Sequence, residues 1–141
     1  MRRVFFDTWA WVSIAHADDK NHPVAASFYR SFLRDGGMPV TTDYVLGEAI
    51  TLLRSRTRPQ SAILFFDTLL EGVRKGRIVL EHVDPQRWEK SWEMSKKYSD
   101  KPSISFVDFT SFVIMRELKV KDVATSDKHF EEDGLHFRKL F

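Results

Sequence analysis

The chain contains no cysteine. That excludes disulfides, thiolate metal sites and a cysteine nucleophile, and it leaves oxygen and imidazole as the side-chain donors for any metal, which favours hard cations. It also lacks an apolar run approaching the roughly 18 residues that span a bilayer. The short apolar segment behind Arg2 and Arg3 breaks at Asp7, so no signal-peptide core forms. A cytoplasmic protein that does not enter a membrane is expected. Strong charge of either sign is missing too: the formal net charge is +2, which permits nucleic-acid binding but does not argue for it. There is no internal repeat and no low-complexity segment. What remains is a chain of 141 residues, 43% hydrophobic and 30% charged, the composition of one globular domain spanning 1–141 with a sizeable core.

Helices and strands alternate along it. Arg3 to Phe6 is apolar and β-favouring without alternation, the pattern of a strand buried on both faces of a parallel sheet. Ala10 to Ala15 reads as a short helix, and Asn21-His22-Pro23 opens another that stops at Gly36-Gly37. Met38 to Thr41 is a second strand. Thr42 or Asp43 then caps a helix whose stripe runs from Val45 to Leu53 and ends near Arg56. A further helix from Pro59 to Lys75 ends at Gly76, Arg77 to Leu80 is a third strand, and Asp84-Pro85 opens a helix carrying Trp88, Trp92 and Met94. Past the polar loop Tyr98 to Ser103, the helix beginning at Ser105 is apolar on nearly every side and must be buried. Lys121 to Asp127 delivers a short strand, and Leu135 to Leu140 a last one. Strands separated by helices indicate an α/β fold with a parallel sheet and right-handed crossovers.

Asp108 is the conspicuous residue, because a carboxylate inside that apolar helix costs several kcal/mol unless a cation or hydrogen bonds compensate. Ser105 supplies part of the compensation as an N-cap, with Asp108 in the first turn. In open parallel sheets, ligands bind outside the carboxyl ends of the strands. Asp7 and Asp127 fall there directly, and Asp108 and Glu48, each early in a helix, can reach the same edge. Two like charges about 5 Å apart repel by roughly 3 kcal/mol at an effective dielectric of 20, so four converging acids require a cation or raised pKa values. A hard divalent ion resolves the conflict. Each acid also has a plainer reading: Asp7 and Asp127 as caps of the turns that follow, and Glu48 as a solvated acid on a helix flank.

The set Val4-Phe5-Phe6-Asp7-Thr8, Leu46-Gly47-Glu48-Ala49, Ser105-Phe106-Val107-Asp108 and Ala124-Thr125-Ser126-Asp127-Lys128-His129-Phe130 resembles the PIN-domain ribonucleases, especially VapC-like toxins of toxin-antitoxin pairs. The resemblance covers nearly the whole chain. It implies a PIN-like three-layer α/β/α fold with strand order 3-2-1-4-5, Mg²⁺ or Mn²⁺ at Asp7, Glu48, Asp108 and Asp127, and cleavage of single-stranded RNA by an endoribonuclease. On that pattern, Asp7 and Asp108 are the first choices as metal ligands. Glu48 and Asp127 act through waters or orient the nucleophile, and Thr125 matches the family's small hydroxyl residue before the fourth acid. The resemblance also implies a cognate antitoxin protein and a homodimer. Many relatives carry Ser or Asn two positions after the first acid, where this chain has Trp9.

The remaining candidates carry less. His16, His22, His82, His129 and His136 show no ligand spacing, so they are read as surface or turn residues with no catalytic part. Arg54, Arg56 and Arg58 answer a helix dipole as readily as they would bind phosphates, and Trp9 and Trp11 are read as packing. Competing functions are a housekeeping RNA-processing nuclease of the same fold and a non-catalytic binding module. A phosphoacceptor receiver wants two adjacent acids after the first strand, where Asp7-Thr8 stands, and a haloacid-type phosphohydrolase wants a second Asp at the position of Trp9.

Overall fold

A computed structural model describes every residue of the chain except Asp133. Its five strands are β1 (Arg3–Phe6), β2 (Met38–Thr42), β3 (Val79–Glu81), β4 (Asp122–Ala124) and β5 (Arg138–Lys139). Its six helices are α1 (Thr8–Ala15), α2 (His22–Arg34), α3 (Asp43–Arg56), α4 (Pro59–Arg74), α5 (Pro85–Lys97) and α6 (Phe106–Leu118), with a 3-10 turn at Lys128–Glu131. The strands form one parallel sheet in the order β3-β2-β1-β4-β5. The order first runs outward, β1 to β2 to β3, and then jumps back to β4 on the other side of β1. Right-handed crossovers therefore place α1 to α4 on one face and α5 and α6 on the other. The contacts agree: α1 packs on α2 and α3, and α5 packs on α6. The three-layer arrangement expected from the sequence is thus observed.

Both faces of β1 are covered, as its unbroken apolar run requires. Val4, Phe5 and Phe6 are fully buried. Phe6 heads an aromatic cluster, with its ring centroid 5.0 Å from Trp11, 6.0 Å from Phe28 and 5.8 Å from Phe32. Against α6, Phe112 meets Phe130 edge-on at 5.0 Å and Phe137 at 5.8 Å. Trp11 is core, as expected, and its indole N–H donates to Thr41 Oγ1 at 3.0 Å while that hydroxyl donates to the Phe6 carbonyl at 3.1 Å. This buried chain of hydrogen bonds fixes the end of β1 against both α1 and β2.

Several boundaries differ from the sequence reading. Helix α1 starts at Thr8 rather than Ala10, because the Asp7 carbonyl already accepts from the N–H groups of Ala10 and Trp11. Helix α3 does start where expected, at Asp43, with the Thr42 hydroxyl as its cap accepting from Val45 N. The outer strands β3 and β5 are shorter than expected, as edge strands commonly are, and Leu135 and Phe137 serve the core without strand pairing. Strand β4 ends at Ala124 because the Thr125 hydroxyl takes the Asp127 N–H and turns the backbone away.

A substitution at Gly37 tests the aromatic cluster. A Cβ there would lie 2.4–2.5 Å from three ring atoms of Phe32, and Phe32 cannot retreat because it is wedged against Phe6 and Phe28. Gly37→Ala is expected to lose about 1–3 kcal/mol to overpacking, read as a lower urea midpoint at unchanged slope.

Candidate active site

Asp7 follows β1 and Asp127 follows β4, the two strands between which the strand order reverses, where the crevice of an open α/β sheet lies. Asp7 is pulled alongside β4 because its N–H extends the ladder to the Ala124 carbonyl at 3.3 Å. Asp108 arrives from the first turn of α6. Its N–H donates to Ser105 Oγ at 3.0 Å and its Oδ2 accepts from Ser105 N at 3.2 Å, a complete capping box. Glu48, one turn into α3, is exposed on the rim. All four acids line one cleft of about 430 Å³, together with Thr8, Trp9, Ser105, Arg56 and His129. A larger cavity of about 650 Å³ lies between α2 and α4, but it is lined by residues such as Tyr29, Leu33, Phe65 and Ile78 and by no acid or histidine.

The plainer reading of Asp7 fails here. Although Asp7 occupies the N-cap position of α1, its side chain makes no capping hydrogen bond. Instead Oδ2 accepts from Thr125 Oγ1 at 3.0 Å, and Thr125 Oγ1 accepts in turn from Asp127 N at 3.0 Å. One buried hydroxyl thus links the first acid to the turn that carries the fourth. Asp127 does cap that turn, its Oδ1 accepting from His129 N at 2.9 Å, so for this residue the two readings coexist.

The electrostatics mark a missing positive charge. Burial, then the Asp108 charge, push Asp7 up to about 7 against the opposing pull of its Thr8 and Thr125 hydrogen bonds, and Asp127 adds to the rise. Burial, then Asp127, push Asp108 up to about 6, with Ser105 and His129 pulling the other way. Among the described residues no lysine or arginine pairs with either carboxylate. Two buried acids held apart from any arginine, their own hydrogen bonds already supplied by Ser105 and Thr125, fit a bound cation.

His129 lies on a turn, as the sequence reading had it, and that turn brings it into the cleft beside the acids. Its Nδ1 lies 3.0 Å from Asp127 Oδ1 and 3.4 Å from Asp108 Oδ2, and Asp108, Asp127 and His129 can present three ligand atoms within 4.8 Å of one another. The histidine was passed over for want of a second histidine at helical spacing; the available signal was Asp127-x-His129, which a tight turn folds onto one point. Arg56 follows Glu48 and Leu52 along one face of α3 and lines the cleft. Arg54 lines a separate hollow with Ile50 and Ile63, and Arg58 sits at the N-cap of α4. Trp9 lines the cleft and also packs on Phe141, with ring centroids 5.0 Å apart.

A parallel sheet of this order, with acids gathered at its reversal point, is the arrangement expected of a PIN-like nuclease. The family model for the PIN domain matches residues 4–133, and the chain belongs to that family. It is 30% identical over 132 residues to the 23S rRNA-specific endonuclease VapC20 of Mycobacterium tuberculosis, covering 93% of this chain and 94% of that protein. The crystal structure of M. tuberculosis VapC20, described as a Sarcin-Ricin loop cleaving toxin, superposes with a TM-score of 0.78 at 28% identity over 93% of this chain and 95% of that one. VapBC2 of Rickettsia felis, solved bound to a DNA fragment from its promoter, gives a TM-score of 0.71 over 97% of this chain and 98% of that one; at 11% identity it speaks for the fold alone.

Thr125 offers a direct test of the linkage. In Thr125→Val the Asp7 carboxylate and the buried Asp127 N–H both lose their partner. A loss of about 1–3 kcal/mol is expected, together with a further rise in the Asp7 pKa, measurable by chemical unfolding in EDTA and by carboxyl NMR titration. Unchanged values for both would mean that the hydroxyl does not hold the site together.

Proposed function

We propose that this protein is a Mg²⁺- or Mn²⁺-dependent endoribonuclease and the toxin of a toxin-antitoxin pair. The observation that carries the reading is the convergence of Asp7, Glu48, Asp108 and Asp127 on one cleft, where two buried carboxylates lack a cation. The relationship to a 23S rRNA-specific endonuclease makes ribosomal RNA the substrate to assay first. When bound, a hard divalent ion supplies the positive charge and Lewis acidity that phosphodiester hydrolysis needs. Asp7 and Asp108 hold it, Asp7 kept in place by Thr125 and Asp108 by Ser105. Asp127 and the rim acid Glu48 orient the attacking water and accept its proton. Arg56, the arginine of the cleft lining, pairs with a backbone phosphate of the RNA.

The partner is an antitoxin protein that places an Arg or Lys among the four acids and so relieves the repulsion that a metal relieves. A cytoplasmic location follows from the substrate, and no helix among the described residues is long and apolar enough to cross a membrane. A homodimer is in keeping with the apolar surface left on the α2 to α4 layer, where Val24, Ile63 and Leu64 are more than half exposed. Sedimentation showing only a 16.5 kDa species at tens of micromolar would count against the dimer.

Purified protein is expected to cut 23S rRNA at few positions in Mn²⁺ or Mg²⁺ and not in EDTA, and to arrest growth when expressed without its antitoxin. Absence of cleavage with either ion, in a protein that binds the ion, would overturn the nuclease reading in favour of a binding module.

A further inference from the structure

His129 is held at three points. Its backbone N–H donates to Asp127 Oδ1 at 2.9 Å, Phe130 beside it is fully buried, and its Nε2 lies 3.1 Å from Ser103 Oγ. The ring is therefore fixed with Nδ1 toward the two carboxylates, 3.0 Å from Asp127 Oδ1 and 3.4 Å from Asp108 Oδ2. Despite that closeness Nδ1 makes no hydrogen bond, and it is closed to solvent. A buried ring nitrogen this close to two carboxylates with a hydrogen bond to neither calls for an explanation. With Nε2–H donating to Ser103, Nδ1 presents its lone pair to two carboxylates, an arrangement that is repulsive unless a cation stands between them. A ligating histidine also commonly gives its other N–H to a neighbouring acceptor, the part Ser103 plays here. A second unpartnered polar atom lines the same cleft: Thr8 is 6% exposed, and its Oγ1 has no hydrogen bond.

Resting on the metal-dependent reading above, we propose that His129 is itself a ligand of the divalent ion, through Nδ1 beside Asp108 and Asp127, and that it biases the site toward Mn²⁺ over Mg²⁺. Mg²⁺ holds to oxygen donors and gives up its waters reluctantly, whereas Mn²⁺ accepts an imidazole more readily. The cleft lining holds no cysteine or methionine sulfur, so this nitrogen decides the site's preference. Ser103 then acts as a positioning residue that sets the tautomer.

The test uses the full chain loaded with Mn²⁺ and reads electron spin-echo modulation. The parent is expected to show coupling to a directly bound imidazole nitrogen that changes when its histidines carry ¹⁵N and disappears in His129→Gln. Calorimetric titration is expected to show Mn²⁺ binding at least tenfold tighter than Mg²⁺ in the parent. His129→Gln should lower Mn²⁺ affinity by 10-fold to 100-fold, in the range for removal of a histidine-supported interaction at a metal site, and Mg²⁺ affinity by less. If the variant does not fold, the ¹⁵N comparison on the parent decides alone. A Mn²⁺-loaded parent without nitrogen coupling overturns the proposal and leaves His129 as a neighbour of the acids with no part in holding the ion. RNA cleavage by that same parent would then leave the nuclease reading standing, while nitrogen coupling without cleavage would do the reverse.

Discussion

Asp108→Asn is expected to melt above the parent protein in EDTA and below it in saturating Mn²⁺, and to cleave RNA at least two orders of magnitude more slowly. The substitution keeps the side chain's shape and leaves an amide oxygen to accept from Ser105 N, so the capping box survives. What it removes is one negative charge from a buried set in which Asp108 is already pushed up to about 6. Without metal the gain is about 1 kcal/mol and amounts to about 3–5 °C in a chain of this size. With metal the parent gains RT ln(1 + [L]/Kd), about 2.7 kcal/mol at a hundredfold excess over Kd. The variant lacks a ligand and gains far less, so the order of melting reverses. Activity falls because the charge that phosphodiester hydrolysis needs is no longer held over the cleft. Were Asp108 a structural acid balancing a buried cation, Asn would lower the melting temperature at every metal concentration. A variant that melts lower in EDTA and cleaves at the parental rate would remove Asp108 from the site.

The parts of this site legible in the sequence are those whose cause is local. Asp108 stands out because an acid sits inside a helix apolar on all sides, and Ser105 three residues earlier is its visible cap. The buried β1 is legible because Val4, Phe5 and Phe6 do not alternate. The partner of Asp7 was not legible, since Thr125, whose hydroxyl holds the carboxylate, lies 118 residues away. His129 was hidden for a similar reason. Its partners come from α6, from the turn after β4 and from the loop that carries Ser103, so no single helical spacing displays them. The start of α1 at Thr8 was obscured because Thr and Trp are weak helix formers, and it is the aromatic cluster that holds Trp11 in place. Outer strands were overestimated because β-favouring composition at Leu135 to Leu140 reports burial of Leu135 and Phe137 rather than pairing.

Metal-free protein is expected to lose stability as pH rises from about 4 to about 7.5, and Asp7→Asn is expected to abolish most of that loss. The folded state raises the Asp7 pKa from 3.8 to about 7 and that of Asp108 from 3.8 to about 6. Between those limits the unfolded chain has released protons that the folded protein still holds, so stability falls with pH by up to about 1.4 kcal/mol per unit for each group. Their contribution is fully present below pH 3.8, declines through the window in which first Asp108 and then Asp7 ionises, and has gone above about 7. The quantity to measure is the difference between parent and variant, which isolates the contribution of Asp7. Chemical unfolding in EDTA should find the two nearly equal at pH 4.5 and the variant more stable by a few kcal/mol at pH 7.5. Saturating Mn²⁺ should reverse the sign in the parent, because the ion binds the ionised carboxylates and gains affinity as they lose their protons. A gap between parent and Asp7→Asn that does not change with pH in EDTA would mean that Asp7 is ionised without strain in the folded protein. The cleft would then lack the unbalanced charge on which the metal site depends.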